Sequence, residues 1–136
     1  MSQHIALTNI FAAAGDLSGR DWCDFKPGVQ ASWVYENGAA GPAAAFLKYE
    51  PGTAIPWHWH PAYEHILVLE GSQSDENGLY RAGSVLISPP GTGHTVRSDE
   101  GCIVLAVWEK PVQFALPATA LTAATPGEAR TTGDTA

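Results

Sequence analysis

At 136 residues with 45% hydrophobic side chains, the chain has the length of one domain and can bury a core of its own. Its formal net charge is −7, and its 7 Lys and Arg are scattered singly, so it offers no cationic surface for nucleic acid or anionic lipid. No apolar run approaches the roughly 18 residues a membrane helix needs, and Met1-Ser2-Gln3-His4 lacks the start of a signal peptide, so a cytoplasmic protein is expected.

In chain order, strand-length segments alternate with turn chemistry. Ile5 to Phe11 reads as an edge segment. Asp21 to Gly28, with Trp22, Phe25 and Pro27, reads as a packed arm. Ala31 to Tyr35 is a predicted strand that stops at Asn37-Gly38, and Ala43 to Tyr49 is the next, ending at Pro51-Gly52. His65 to Leu69 is an apolar run closed by Gly71, and Asp75-Glu76-Asn77-Gly78 is a polar hairpin tip. Val85 to Ser88 halts at Pro89-Pro90-Gly91; His94 to Arg97 follows, and Cys102 to Trp108 is the longest apolar strand. No segment keeps a helical period, so the expected fold class is all-β, a sandwich or a barrel. The expected single domain spans residues 1–117. Residues 118–136, rich in Ala, Thr, Gly and Pro with Leu121 the only large apolar side chain, are expected to form a disordered tail. Cys23 and Cys102 are too few and too far apart for a disulfide framework or a zinc finger, so two free thiols are expected.

Four residues carry the chemistry. His58, His60 and Glu64 lie between Gly52 and Gly71, and His94 lies downstream of Gly83. Three imidazoles and a carboxylate suit a divalent first-row metal. Side chains alternate faces along a strand, so His58, His60 and Glu64, all even-numbered, can aim at one point while Trp57, Trp59 and Tyr63 face elsewhere. His65, of odd parity, points away, and His4 is near a terminus and solvated. Trp33, Tyr35, Phe46 and Trp108 are the aromatic candidates for lining a pocket mouth.

The stretch Gly52 to Gly71 resembles cupin motif 1, G-x5-H-x-H-x3,4-E-x6-G, at every fixed position. Gly83, Pro89, Gly91 and His94 resemble motif 2, G-x5-P-x-G-x2-H-x3-N, with Ser98 where the family often has Asn. The resemblance implies a small double-stranded β-helix (cupin or jelly-roll) barrel. It also implies one divalent metal ion held by His58, His60, Glu64 and His94, with Fe(II) or Zn foremost and Mn, Ni, Co or Cu compatible. From Pro51 to Trp108 the sequence is similar to the ChrR-type cupins. That group includes the sensing domains of zinc-dependent anti-sigma factors and small stand-alone dioxygenases acting on diketones and hydroxyketones. The anti-sigma members carry an N-terminal helical zinc domain, and only four residues precede Ile5 here. The sequence therefore favours a metal-dependent dioxygenase acting on a small carbonyl compound over a sensing or regulatory module without turnover, with an isomerase or lyase behind both. The expected partners are a small-molecule substrate or ligand and, through the apolar Ile5 to Ala14 segment, a second copy in a homodimer, with no nucleic acid and no membrane.

Overall fold

The computed structural model describes residues 3–11 and 17–115. The expected domain limit at 117 and the expected tail at 118–136 lie outside the described residues. The described residues form nine strands and one short 3-10 turn, Gly38–Ala40, and no α-helix. The strands are β1 (Cys23–Lys26), β2 (Val29–Glu36), β3 (Ala43–Tyr49), β4 (Thr53–Trp59), β5 (Glu64–Asp75), β6 (Gly78–Arg81), β7 (Val85–Ser88), β8 (Gly93–Ser98) and β9 (Cys102–Trp108). None of the described helical residues makes a helix long and apolar enough to cross a membrane.

All pairings are antiparallel. They run β1-β2-β3-β9-β5-β8-β4, with β6 and β7 also on β5. β5 therefore joins two sheets that curl toward each other into the expected all-β barrel. One face of β3 (Ala43, Ala45, Leu47, Tyr49) and one face of β9 (Cys102, Val104, Ala106, Trp108) fill the interior with Val29, Ala31, Ile55, Ile66, Val68 and Val96. The other face of the β3–β9–β5 sheet is also apolar: Phe46, Leu69 and Ile103 are buried there with Leu17, and Leu7, Ile10 and Trp22 pack over them.

Two expected elements differ. Ile5 to Phe11 forms no strand; Leu7 and Ile10 of that segment lie against the outer face of the chain's own sheet. The run expected to end at Gly71 continues to Asp75, making β5 12 residues long. The reason is a bulge: the pairing with β9 shifts between Val68 and Glu70, and Leu69 is the extra residue. Gly71 absorbs the distortion at φ +71°, where a Cβ would collide with the Gly101 carbonyl. Past the bulge the alternation changes phase. Even residues of β5 (Glu64, Ile66, Val68) face the interior before it, and Gln73 and Asp75 turn inward after it.

Candidate metal centre

The local chemistry of β4 sets the first two imidazoles. Pro56 has no backbone N–H, and the β4–β8 register shifts between Ile55 and His58, so Ile55 and His58 both face inward despite their different parity. His58 sits opposite His94 in the ladder. His60 lies one residue beyond β4; its N–H donates to Thr92 O at 2.8 Å and its carbonyl accepts from Gly91 N at 2.7 Å. Pro61 then ends the pairing, and the chain turns so that Glu64 opens β5, between Ser88 of β7 and Trp108 of β9. Glu64 thus reaches the site from a different strand, not as a third position along the strand of His58 and His60.

The three imidazoles meet edge to face, with ring centroids 5.2 Å (His58–His60), 4.7 Å (His58–His94) and 5.0 Å (His60–His94) apart. One ring nitrogen from each lies within 4.8 Å of the others, and all three residues are buried. Glu64 joins through His60, its Oε1 3.2 Å from Nε2. Its other oxygen accepts a 2.6 Å hydrogen bond from the Trp108 indole.

Every Nδ1 faces an acceptor. His58 Nδ1 lies 3.0 Å from Pro56 O, His60 Nδ1 lies 2.9 Å from Thr92 O, and His94 Nδ1 lies 2.8 Å from an Asp75 carboxylate oxygen. An acceptor at Nδ1 calls for Nδ1–H, which leaves the lone pair on Nε2. Nε2 of His60 and Nε2 of His94 are buried with no hydrogen-bond partner. A lone pair on His60 Nε2 also confronts the Glu64 carboxylate. Such an arrangement is unfavourable unless a cation lies among these atoms, and imidazoles anchored at one nitrogen with the other free are the usual dress of metal-binding histidines. The residues present fit a divalent metal.

The charge states agree. Burial, reinforced by repulsion from His94 and opposed by the Pro56 carbonyl, lowers the His58 pKa to about 4, so the ring is neutral at pH 7. Burial alone pushes the Glu64 carboxyl up; a hydrogen bond and positive charge at His60, with charge at His58 and His94, outweigh it and hold the carboxyl below its ordinary range, so this carboxylate calls for positive charge beside it, which a metal would supply with the rings neutral. Asp75 behaves alike: burial raises it, and the His94 ring and the Asn77 N–H together lower it further.

Beside the imidazoles is a cavity of about 30 Å³, whose walls include Tyr49, Ile66, Gln73, Val96 and Trp108. It adjoins an open aromatic recess of about 220 Å³ formed by Phe25, Trp33, Trp108, Val112 and Phe114, with Lys26 and Glu36 among its lining residues. Of the four aromatic candidates for the mouth, Trp33 and Trp108 line this recess. Phe46 is fully buried on the opposite face of β3, and Tyr35 does not line the recess. Trp59 pairs by backbone with Gln113, and its indole donates to Ala115 O at 2.6 Å, tying the segment that carries Phe114 across the mouth. Phe114 lies 5.5 Å from the His58 ring. His65 is exposed and stacks on Tyr63, as its parity implies. Sequence reasoning missed Asp75, Thr92 and Gln73. Asp75 reads as a turn residue because it does cap the Asn77 N–H; nothing local shows that its other oxygen meets His94.

Residues 12–113 match the family described as the ChrR Cupin-like domain. Over 77 residues the chain is 38% identical to the anti-sigma-E factor ChrR of Cereibacter sphaeroides, a match covering 54% of this chain and 36% of that protein. The chain thus spans about a third of the length of that curated relative. In the crystal structure of Rhodobacter sphaeroides SigE in complex with the anti-sigma ChrR, a chain superposes with a TM-score of 0.62 at 28% identity, covering 71% of this chain and 53% of that one. An acetylacetone dioxygenase from Acinetobacter johnsonii superposes with a TM-score of 0.62 over 82% of this chain and 80% of that one, at 13% identity, which shows the cupin fold alone. These findings correct the expected partners, a small-molecule substrate or ligand and a second copy in a homodimer. The relatives that share sequence with this chain are an anti-sigma factor and its complex with SigE, so a different protein is the partner there. The physical basis of the dimer expectation also weakens, since Leu7 and Ile10 cover the chain's own sheet.

Proposed function

The chain belongs to the ChrR Cupin-like domain family, and from that premise we propose that it is a metal-binding regulatory module whose partner is a protein of the sigma-factor kind. His58, His60 and His94 hold one divalent ion through Nε2, and Glu64 supplies an oxygen from β5. The observation that carries this is the shared orientation of the imidazoles, each anchored at Nδ1 and two of them left with a buried, partnerless Nε2. Three nitrogens and one carboxylate oxygen suit Zn or Fe(II). When bound, the ion supplies the positive charge that these lone pairs and the Glu64 carboxylate lack.

The chain's own residues do the rest. Asp75 fixes the tautomer of His94, Thr92 that of His60, and Trp108 holds Glu64. Ligands from β4, β5 and β8 converge, so binding ties together strands that meet at the open end of the barrel. A change in metal occupancy is therefore a change in how that end is held, and this gives a partner two states to distinguish.

The test is metal analysis of untagged protein, followed by calorimetric binding of a SigE-type sigma factor to the metal-loaded and chelator-stripped full chain. One metal per chain and an affinity that differs at least about tenfold between the two forms are expected, a coupling in the ordinary range. A chain that takes up no metal, or a sigma factor that binds neither form, would sink the proposal.

A further inference from the structure

We infer that Gln73 is the residue that holds a water-sized ligand on the metal's remaining coordination position; the inference rests on the metal centre proposed above. Gln73 is 2% exposed, and its side-chain carbonyl oxygen has no hydrogen-bond partner. It lines the same small cavity as His58, Glu64 and His94. Of the other walls, Leu47, Ile55, Ile66, Val96 and Val112 contribute no polar side-chain atom, the Trp108 N–H is already given to Glu64, and Tyr49 brings a hydroxyl that, unlike the Gln73 oxygen, is not a buried atom lacking a partner.

Buried amide oxygens in folded proteins are paired, by protein or by an ordered molecule. Gln73 reaches this place only through the β5 bulge, which reverses the facing of the strand after Val68. Without the bulge it would face outward, where an amide is solvated at no cost. The cavity, about 30 Å³, has room for a small molecule of the size of water. The chemistry narrows the occupant further. A water or another small donor bound to a divalent cation has a polarised O–H or N–H that seeks an acceptor. A neutral amide carbonyl accepts that hydrogen bond without drawing the proton off, as a second carboxylate would. The ligand class is therefore water, hydroxide or a similarly small oxygen or nitrogen donor that keeps a hydrogen. Gln73 acts through that ligand and is a positioning residue, not a ligand to the metal.

The experiment uses the full chain loaded with Co(II), whose visible bands are weak in five- or six-coordinate sites and intense in four-coordinate ones. Wild-type protein is expected to show the weak bands of a site that keeps its small ligand. Gln73→Met, which keeps the volume and removes the acceptor, should bind cobalt within about threefold of wild type while its visible absorbance rises at least about twofold. Intense four-coordinate bands in the wild type overturn the inference, and so does a Gln73→Met spectrum identical to wild type. Should the Met variant not fold, Gln73→Leu, which also removes the acceptor, carries the same expectation and the same refuting outcome. Cobalt binding with unchanged spectra defeats only the role of Gln73; failure of the wild type to bind cobalt at all defeats the metal centre and this inference with it.

Discussion

Replacing Asp75 by Asn tests whether the histidines are oriented for metal by their anchors. The Asp75–His94 pair is 2.8 Å long, with the two side chains 5% and 6% exposed, so solvent screens it little. A hydrogen bond to a charged group in such a place contributes about 1.5–3 kcal/mol. Asn keeps the size and can still accept from the Asn77 N–H, as Asp75 does at 2.8 Å, so the hairpin tip should survive. What changes is the imidazole. A neutral amide makes Nε2 a poorer donor to metal, and an amide turned with its NH₂ toward Nδ1 forces the proton onto Nε2, against the cavity. Loss of an outer partner of this kind costs about 10- to 100-fold in metal affinity, or roughly 1.4–2.7 kcal/mol. The assay is zinc competition against a chromophoric chelator, with thermal melting of the metal-free proteins as the control for folding. A Kd within twofold of wild type, alongside a His94→Ala variant that loses the metal, would refute the reasoning, because the carboxylate would then not be what prepares His94.

Three further outcomes are expected. Trp108→Phe removes the 2.6 Å hydrogen bond to a buried carboxylate, and should destabilise the metal-free chain by about 1–3 kcal/mol in urea unfolding, with metal recovering part of the loss. The metal-free chain should also lose stability as the pH falls. Unfolded His58 takes a proton near 6.5 and the folded residue only near 4, so between these values the unfolded state binds the extra proton; about 3 kcal/mol is lost across that window, and His58→Gln should flatten the profile of melting temperature against pH. Thiol titration at pH 8 should find Cys23 reactive and Cys102 silent until denaturant is added. Cys23 is exposed, whereas burial, partly opposed by the Ser98 hydroxyl and reinforced by Glu100, raises the Cys102 thiol to about 11. Equal rates for the two thiols would contradict the packing of β9.

Strand bounds and strand faces were legible in the sequence to different degrees. Val85–Ser88 and Cys102–Trp108 were legible to the residue, and Ala43–Tyr49 likewise, because turn residues bound each of them. Which face of β3 points inward was not legible. Ala43, Ala45 and Leu47 alternate with Ala44 and Phe46, both faces are apolar, and the outer one is buried under Leu7, Ile10 and Leu17. Phe46 was therefore a reasonable mouth candidate by composition and sits on the wrong side of the sheet.

By itself, the sequence determined an all-β chain, since strand alternation and turn chemistry are local properties, and the two spaced motifs, whose resemblance to the family implied the gathering of His58, His60 and His94. Only the tertiary structure decided which nitrogen each ring offers, that Glu64 is held by Trp108, and that Asp75 and Gln73 face the same interior. Alternation holds only until a bulge, and the bulge in β5 exists because β9, more than thirty residues away in the chain at that point, sets the register against which Leu69 is one residue too many.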